Sequence, residues 1–135
     1  MQDRPSAEKL LAAARAFLNE TAMPQLSGHA AFHARVAGNV LDILARELQL
    51  SPGFNRAEQA RLESLLGESG SLEDLNCKLC DKIATGEMDL THEKLKTHLI
   101  MTTMGKLAID QPHYQGYKTA QANGWPEEDS GETIK

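Results

Sequence analysis

The stretch between Gly28 and Pro52 constrains the fold most, because its apolar residues recur at the period of an α-helix. At about 100° per residue they cover roughly half of the circumference, a width typical of a central helix with neighbours on two sides. The pattern predicts a helix over about His29–Leu50, and Ser51-Pro52-Gly53 is expected to end it. The apolar residues are Phe32, Val36, Ala37, Val40, Leu41, Ile43, Leu44 and Leu48.

Further helices are predicted from capping residues and helix breakers. Asn55 and Glu58 have the spacing of a capping box, in which each side chain binds the other residue's backbone N–H. Ser71 is an N-cap residue, and Pro112 marks a helix end because the residue before a proline disfavours the α conformation. These helices are predicted from Ser6 to about Ala22, from Asn55 to Gly67, from Ser71 to Gly86 and from Thr91 to Pro112.

Composition supports a helical fold. Aromatic residues make up only 4% of the chain, so the core must be built from Leu, Ala, Ile, Val and Met, which favours helices. Short links with Gly and Pro join the predicted helices, as in antiparallel bundles. The predicted fold is all-α: a single-domain antiparallel bundle of about five helices over residues 1–114. Residues 115–135 are polar and are expected to form a tail that is at most partly ordered.

Charge and hydropathy exclude several classes of protein. The net charge of −5 argues against nucleic-acid binding, since neutralising phosphates requires a basic face. The sequence contains no signal-peptide core and no run of about 18 apolar residues, so neither export nor membrane insertion is expected. We therefore expect a cytoplasmic protein without a nucleic-acid or membrane partner.

Cys77 and Cys80 form a Cys-x-x-Cys, but they lie past the first turn of a predicted helix and no strand precedes them. A redox pair of the thioredoxin type sits at a helix N-terminus, where the helix dipole lowers the thiol pKa. We interpret both residues as incidental thiols, with Cys80 beside the core. No motif for binding phosphates or dinucleotides, and none for a nucleophilic serine, is present, and no cofactor is expected.

Polar residues on the apolar faces of two predicted helices break the pattern. His33 lies on the apolar face of the helix over His29–Leu50, and Arg35 and Asn39 line its edge. The helix after Thr91 carries Leu95, Leu99, Thr103 and Leu107 on one face, and Lys106 and Asp110 fall within the same face. An unpaired buried charge costs several kcal/mol, so such residues tend to be paired, neutralised or functional.

We predict one polar network if these two helices pack together, formed by His33, Arg35, Asn39, Lys106, Asp110 and Gln111. The favoured interpretation is a structural network that sets helix register, with His33 as a core histidine and Lys106 paired with Asp110. Alternatively, Arg35 and Lys106 hold a phosphate or carboxylate, oriented by Asp110 and His33. A third interpretation is a metal held by His29 and His33, which project from one helix face, although zinc requires at least three protein ligands.

Two of these segments resemble a family of small bacterial proteins classed as a domain of unknown function. Its members share Phe-His-x-Arg-Val-Ala-x-Asn, matched over Phe32–Asn39, and Lys-Leu-x-x-Asp-Gln-Pro-x-Tyr, matched over Lys106–Tyr114. They begin with Arg-Pro-Ser/Thr, matched by Arg4-Pro5-Ser6, so the resemblance covers roughly residues 3 to 115. It implies a neighbourhood of aminoglycoside-phosphotransferase-like kinases and acyl-CoA dehydrogenases, and with them an accessory role in acyl-CoA metabolism.

The leading hypothesis is a protein without enzymatic activity that binds a kinase-like or acyl-CoA-handling enzyme as an accessory. One alternative is a protein that binds a phosphate or a CoA ester in a pocket between the helices that carry Arg35 and Lys106. Another is a metal-dependent enzyme that uses His29 and His33. A homodimer is a further prediction, because a broad apolar face needs a covering surface.

Overall fold

The computed structural model describes residues 4–125, and these residues form helices without any strand. This confirms the all-α prediction. None of the helices within the described range is both long enough and apolar enough to span a membrane. The helices are α1 (Ala7–Ala16), α2 (Gly28–Leu66), α3 (Leu72–Ala84), α4 (Glu93–Asp110) and α5 (Gln115–Ala122), and a π-helical turn (Phe17–Ala22) and a 3-10 turn (Met23–Gln25) follow α1.

The predicted break at Ser51-Pro52-Gly53 is wrong, because α2 runs unbroken through all three residues. Pro52 has no N–H and removes one hydrogen bond of the helix, which costs about 3 kcal/mol, yet tertiary packing routinely overrides such local preferences. Asn55 therefore lies inside α2, and the predicted capping box does not form. Two of the predicted helices are one continuous element.

Other predicted helix ends are confirmed to within a residue or two. The Ser71 hydroxyl accepts a hydrogen bond from the Asp74 backbone N–H at 3.1 Å and caps α3. Helix α4 ends at Asp110, two residues before Pro112, and its N-cap is His92 rather than the expected Thr91. Gly67 terminates α2 in a left-handed conformation that favours glycine, with φ of 73°.

The region predicted as a polar tail contains α5, an eight-residue helix. After it, the Trp125 backbone N–H donates to the Ala120 carbonyl at 2.9 Å. The remainder of the predicted tail, residues 126–135, lies outside the described residues. The placing of a domain boundary at residue 114 stays a prediction.

The chain divides into two compact units, Met1–Pro52 and Gly53–Lys135, called here the first unit and the second unit. In the first unit, α1 and its π-helical turn run antiparallel to α2. Arg15 Nε pairs with Asp42 Oδ1 at 2.5 Å, and one turn further along both segments Asn19 faces Gly38. Gly38 and Ala34 are buried on this side of α2, so small residues let the two helices approach closely.

The second unit has a core of leucine side chains from three helices. Leu62 of α2, Leu75 and Leu79 of α3 and Leu95 of α4 are each at most 3% exposed. The loop between α2 and α3 is also held to α2 by a hydrogen bond from the Gln59 amide to the Gly70 carbonyl at 2.9 Å. Because fully burying a leucine contributes about 1.5–3 kcal/mol, this cluster is the main source of stability in the second unit.

Candidate functional site

Five large apolar residues of α2 in the first unit lie on its exposed side, whereas Leu41 and Ile43 are half-buried. Ala34 and Gly38 are covered, and residues two positions later point about 200° away around the helix. The side of α2 with large side chains is therefore turned outwards. We define the outer face as Phe32, Val36, Val40, Leu44 and Leu48, whose exposed fractions are 55%, 42%, 48%, 45% and 45%.

His33 lies beside the outer face and contacts a second histidine. Its Nε2 is 3.0 Å from His29 Nδ1, a hydrogen bond in which the tautomers decide the donor. The Phe32 ring packs edge-on against His33, with ring centroids 5.5 Å apart. Because His33 is exposed, its interpretation as a core histidine is wrong.

Among residues 4–125 no three His, Cys, Asp or Glu side chains are arranged to hold a metal ion. His29 and His33 are close enough to share a metal, but the described residues supply no third ligand beside them. The metal-dependent enzyme stays a prediction.

The six residues of the predicted polar network are all exposed, and they belong to different units. His33, Arg35 and Asn39 lie in the first unit, and Lys106, Asp110 and Gln111 lie in the second. The expected ion pair between Lys106 and Asp110 is not formed among the described residues. Because these charged side chains are exposed, water solvates them and they do not require a neutralising partner. The joint network stays a prediction.

A polar cluster, which the sequence did not predict, lies in the second unit, and its members are buried or half-buried. We define it as Glu58 and Arg61 of α2, Asn76 of α3, and His98 and Thr102 of α4. The Arg61 Nη2 donates to Thr102 Oγ1 at 3.4 Å, and the Asn76 amide donates to Glu58 Oε1 at 3.0 Å. His98 is only 3% exposed, the one buried polar side chain among residues 4–125.

Burial sets the charge state of this cluster. It lowers the pKa of His98 below its usual value, the nearby Arg61 charge lowers it further, and the Glu58 carboxylate opposes both. His98 is therefore neutral at pH 7. Burial also lowers the pKa of Arg61, and Glu58 raises it. Arginine titrates so far above neutrality that its guanidinium keeps its charge.

Two nitrogens of the cluster have unused hydrogen-bonding capacity. Arg61 Nε and His98 Nδ1 are buried and find no hydrogen-bond partner among the residues that the structure describes. Glu58 is the acidic side chain of the cluster, and its carboxylate accepts a hydrogen bond from Asn76 instead. Since buried donors rarely stay unbonded, the arrangement suits a small acceptor, such as a carboxylate or phosphate oxygen, beside a guanidinium.

The sequence did not predict the cluster because the covered face of α4 was expected to be its apolar stripe, which does not include His98 and Thr102. The predicted stripe contained Leu99 and Thr103, and both are exposed. The buried residues of α4 are Leu95, His98, Met104 and Ile109. Three of them, with the half-buried Thr102 and Gly105, follow an alternating spacing of three and four residues: Leu95, His98, Thr102, Gly105 and Ile109. That spacing is typical of a helix-packing seam, so it could have indicated His98 even though three of its members are not apolar.

Cys77 and Cys80 lie inside α3, as predicted, and both are free. Both are exposed, and the position of Cys80 beside the core stays a prediction. Nothing in their geometry distinguishes them from incidental surface thiols.

One family model matches a range of the chain that contains both the outer face and the polar cluster. A family model described as a domain of unknown function, DUF6285, matches residues 24–114. No curated protein and no solved structure showed significant similarity to the chain. The matched range includes the outer face, the polar cluster and the segments Phe32–Asn39 and Lys106–Tyr114. Because the match covers more than half of its length, the chain belongs to the family of proteins with the DUF6285 domain of unknown function.

Proposed function

We propose that this protein acts as an accessory protein, without chemistry of its own, which binds another protein through the outer face of α2. The carrying observation is the exposure of its five large apolar side chains, each between 42% and 55% exposed. Along the helix they extend over about 24 Å, at 1.5 Å per residue. A contiguous apolar surface of this kind is typical of protein interaction sites.

The first unit buries little apolar surface of its own, and for this reason a partner would stabilise it. Its one buried hydrophobic residue within the described range is Ala34, at 8% exposure. Two antiparallel helices without a core of large side chains gain little from burial alone. Covering the outer face with a protein surface would supply that missing burial.

The proposed partner class follows from the family resemblance. It implies a phosphotransferase-like kinase or an acyl-CoA dehydrogenase as the enzyme assisted. Phe32 and Val36 belong to the segment that carries the resemblance and also to the outer face. The residues that mark the family thus include residues available for docking.

The test is recovery of the partner from the native host with the tagged full-length chain, quantified by mass spectrometry. We expect one stoichiometric enzyme of the proposed class, with recovery reduced at least tenfold by Val36→Asp or Val40→Asp. The matched control is Ile83→Asp on α3, because Ile83 is similarly exposed at 41%. The recovered enzyme is then purified, and its binding is measured directly with the same variants.

Two results would contradict the proposal. One is that the amount of enzyme recovered is the same after substitutions on the outer face and after Arg35→Ala. The other is turnover by the purified protein alone that disappears in Lys106→Ala. Far-ultraviolet circular dichroism of each variant establishes that lost binding does not reflect lost folding.

A second candidate function, binding of a small anion, is supported by the unbonded nitrogens of Arg61 and His98. In this second candidate, the ligand binds at the polar cluster rather than in the predicted pocket between Arg35 and Lys106. Arginine presents a planar fork of donors that matches carboxylate and phosphate oxygens.

Thermal unfolding in the presence of inorganic phosphate, acetate or coenzyme A tests this second candidate. Binding to the folded state stabilises it by about 2.7 kcal/mol at a hundredfold excess over the dissociation constant. We expect the shift to vanish in Arg61→Met and to persist in Arg56→Met, which alters an exposed arginine of the same helix. Equal shifts in both variants would exclude the cluster as the binding site.

A further inference from the structure

The outer face of α2 has a symmetric arrangement about Val40. Phe32 and Leu48 lie eight residues on either side of Val40, and Val36 and Leu44 lie four residues on either side. His33 and Glu47 lie seven residues on either side. Apolar residues are therefore matched with apolar residues, and the histidine is matched with a carboxylate.

This symmetry is the one that an antiparallel pair of identical helices requires. In such a pair related by a two-fold axis at Val40, each residue lies level with the residue equally far on the other side of Val40. His33, Val40 and Glu47 are spaced by seven residues, so they form one line along the helix. His33 of each copy then lies opposite Glu47 of the other copy, and Val40 lies opposite itself.

We propose that the outer face binds a second copy of this chain, with the two α2 helices antiparallel and centred on Val40. The proposal rests on the proposed function in that both treat this face as a protein-binding surface, and it names what covers the face when no enzyme is bound. Charge complementarity selects the antiparallel arrangement, because a parallel pair would place Glu47 against Glu47. A different protein would not require the symmetry about Val40.

The first measurement is the mass of the full-length chain in solution, by analytical ultracentrifugation across a concentration series. We expect a dimer, and we expect Glu47→Lys to weaken it at least tenfold because a lysine cannot accept the hydrogen bond that a ring N–H of His33 donates to the Glu47 carboxylate. His33→Glu should weaken it equally, since two carboxylates then face each other. The control is Gln49→Lys, which places a lysine on the opposite side of α2 and changes the net charge by one rather than two.

The decisive variant combines His33→Glu with Glu47→Lys. In the proposed arrangement this exchange restores opposite charges across the interface, so dimerisation should recover to within about threefold of the original chain. In a parallel arrangement, or at any other register, the double variant has no reason to recover. A double variant that stays monomeric while its circular dichroism is unchanged would overturn the proposal.

Disulfide trapping tests the position of the two-fold axis independently. In a chain with Cys77→Ser and Cys80→Ser, Val40→Cys should cross-link two copies under mild oxidation. Val36→Cys should not, because the two cysteines would be separated by about 12 Å along the helix axis. Equal cross-linking at both positions would overturn the antiparallel arrangement.

The outcomes also separate this inference from the proposed function. A chain that stays monomeric at about 100 µM but recovers its enzyme through the outer face removes self-pairing and leaves the accessory role intact. A dimer that behaves as described for all variants but recovers no enzyme supports self-pairing and removes the enzyme partner.

Discussion

The two units of this chain handle their large apolar side chains in opposite ways. In the second unit, Leu62, Leu75, Leu79 and Leu95 are almost completely covered. In the first unit, the outer face stays about half exposed, and the two buried residues of α2, Ala34 and Gly38, are small. One continuous helix supplies both units, so the difference does not come from α2 alone. It comes from what packs against each part of the helix: leucines from α3 and α4 in one case, and a close approach of α1 in the other.

The largest expected difference between the units concerns leucine truncation. Leu62→Ala should lower the free energy of unfolding by about 3 kcal/mol or more, because Leu62 is fully buried and truncation leaves a cavity. Leu44→Ala should cost less than about 1 kcal/mol in dilute solution, because Leu44 is already 45% exposed. Urea denaturation of both variants measures the two losses, and equal values would contradict the contrast between the units.

The pH dependence of stability tests the polar cluster of the second unit. Burial lowers the pKa of His98 in the folded chain below its usual value of 6.5. Between these two values the unfolded chain binds more protons, so the free energy of unfolding falls as the pH decreases through this interval. His98 has no such effect well above pH 6.5, where it is neutral in both states.

Denaturation midpoints measured between pH 8 and pH 5 provide the comparison. His98→Leu should flatten the loss of stability towards acid, whereas the control His113→Leu, at an exposed position, should retain it. The same slope in all three proteins would show that His98 is not the titrating group.

Helix capping offers a smaller contrast between the units. Ser71 in the second unit binds the Asp74 N–H, so Ser71→Ala should cost about 1 kcal/mol. Ser6 in the first unit makes no capping hydrogen bond with its side chain, and its hydroxyl donates to Glu8 instead. Ser6→Ala should therefore be nearly neutral in thermal unfolding, and a loss as large as that of Ser71→Ala would sink this distinction.

The smallest expected effect is that of the ion pair between α1 and α2. Arg15 and Asp42 have side chains that are 52% and 29% exposed, and exposed pairs contribute about 0.2–1 kcal/mol. Asp42→Asn should lower the free energy of unfolding by about 0.5 kcal/mol at low salt and by less at high salt. A double-mutant cycle with Arg15→Gln measures the coupling, and zero coupling at low salt would leave small-residue packing as the main contact of the first unit.

The sequence predicted much of the fold but little of the candidate site. Capping and breaking residues such as Ser71, Gly86 and Pro112 placed helix ends correctly, because their effects depend on nearby backbone groups. Pro52 and Asn55 were misleading, since packing on both sides of them outweighs a local preference. His98 was not predicted because it occupies a covered position of α4, and covered positions were expected to hold apolar residues.

The sequence by itself determined the all-α class, most helix ends and the side of each helix that is rich in large apolar residues. These properties follow from local chemistry: hydrophobic period, backbone conformation and capping. Only the tertiary structure decided that α2 is continuous, that the outer face stays exposed, and that Arg61 Nε and His98 Nδ1 are both buried in the second unit. Burial depends on which surfaces meet, and residues far apart in the chain determine that.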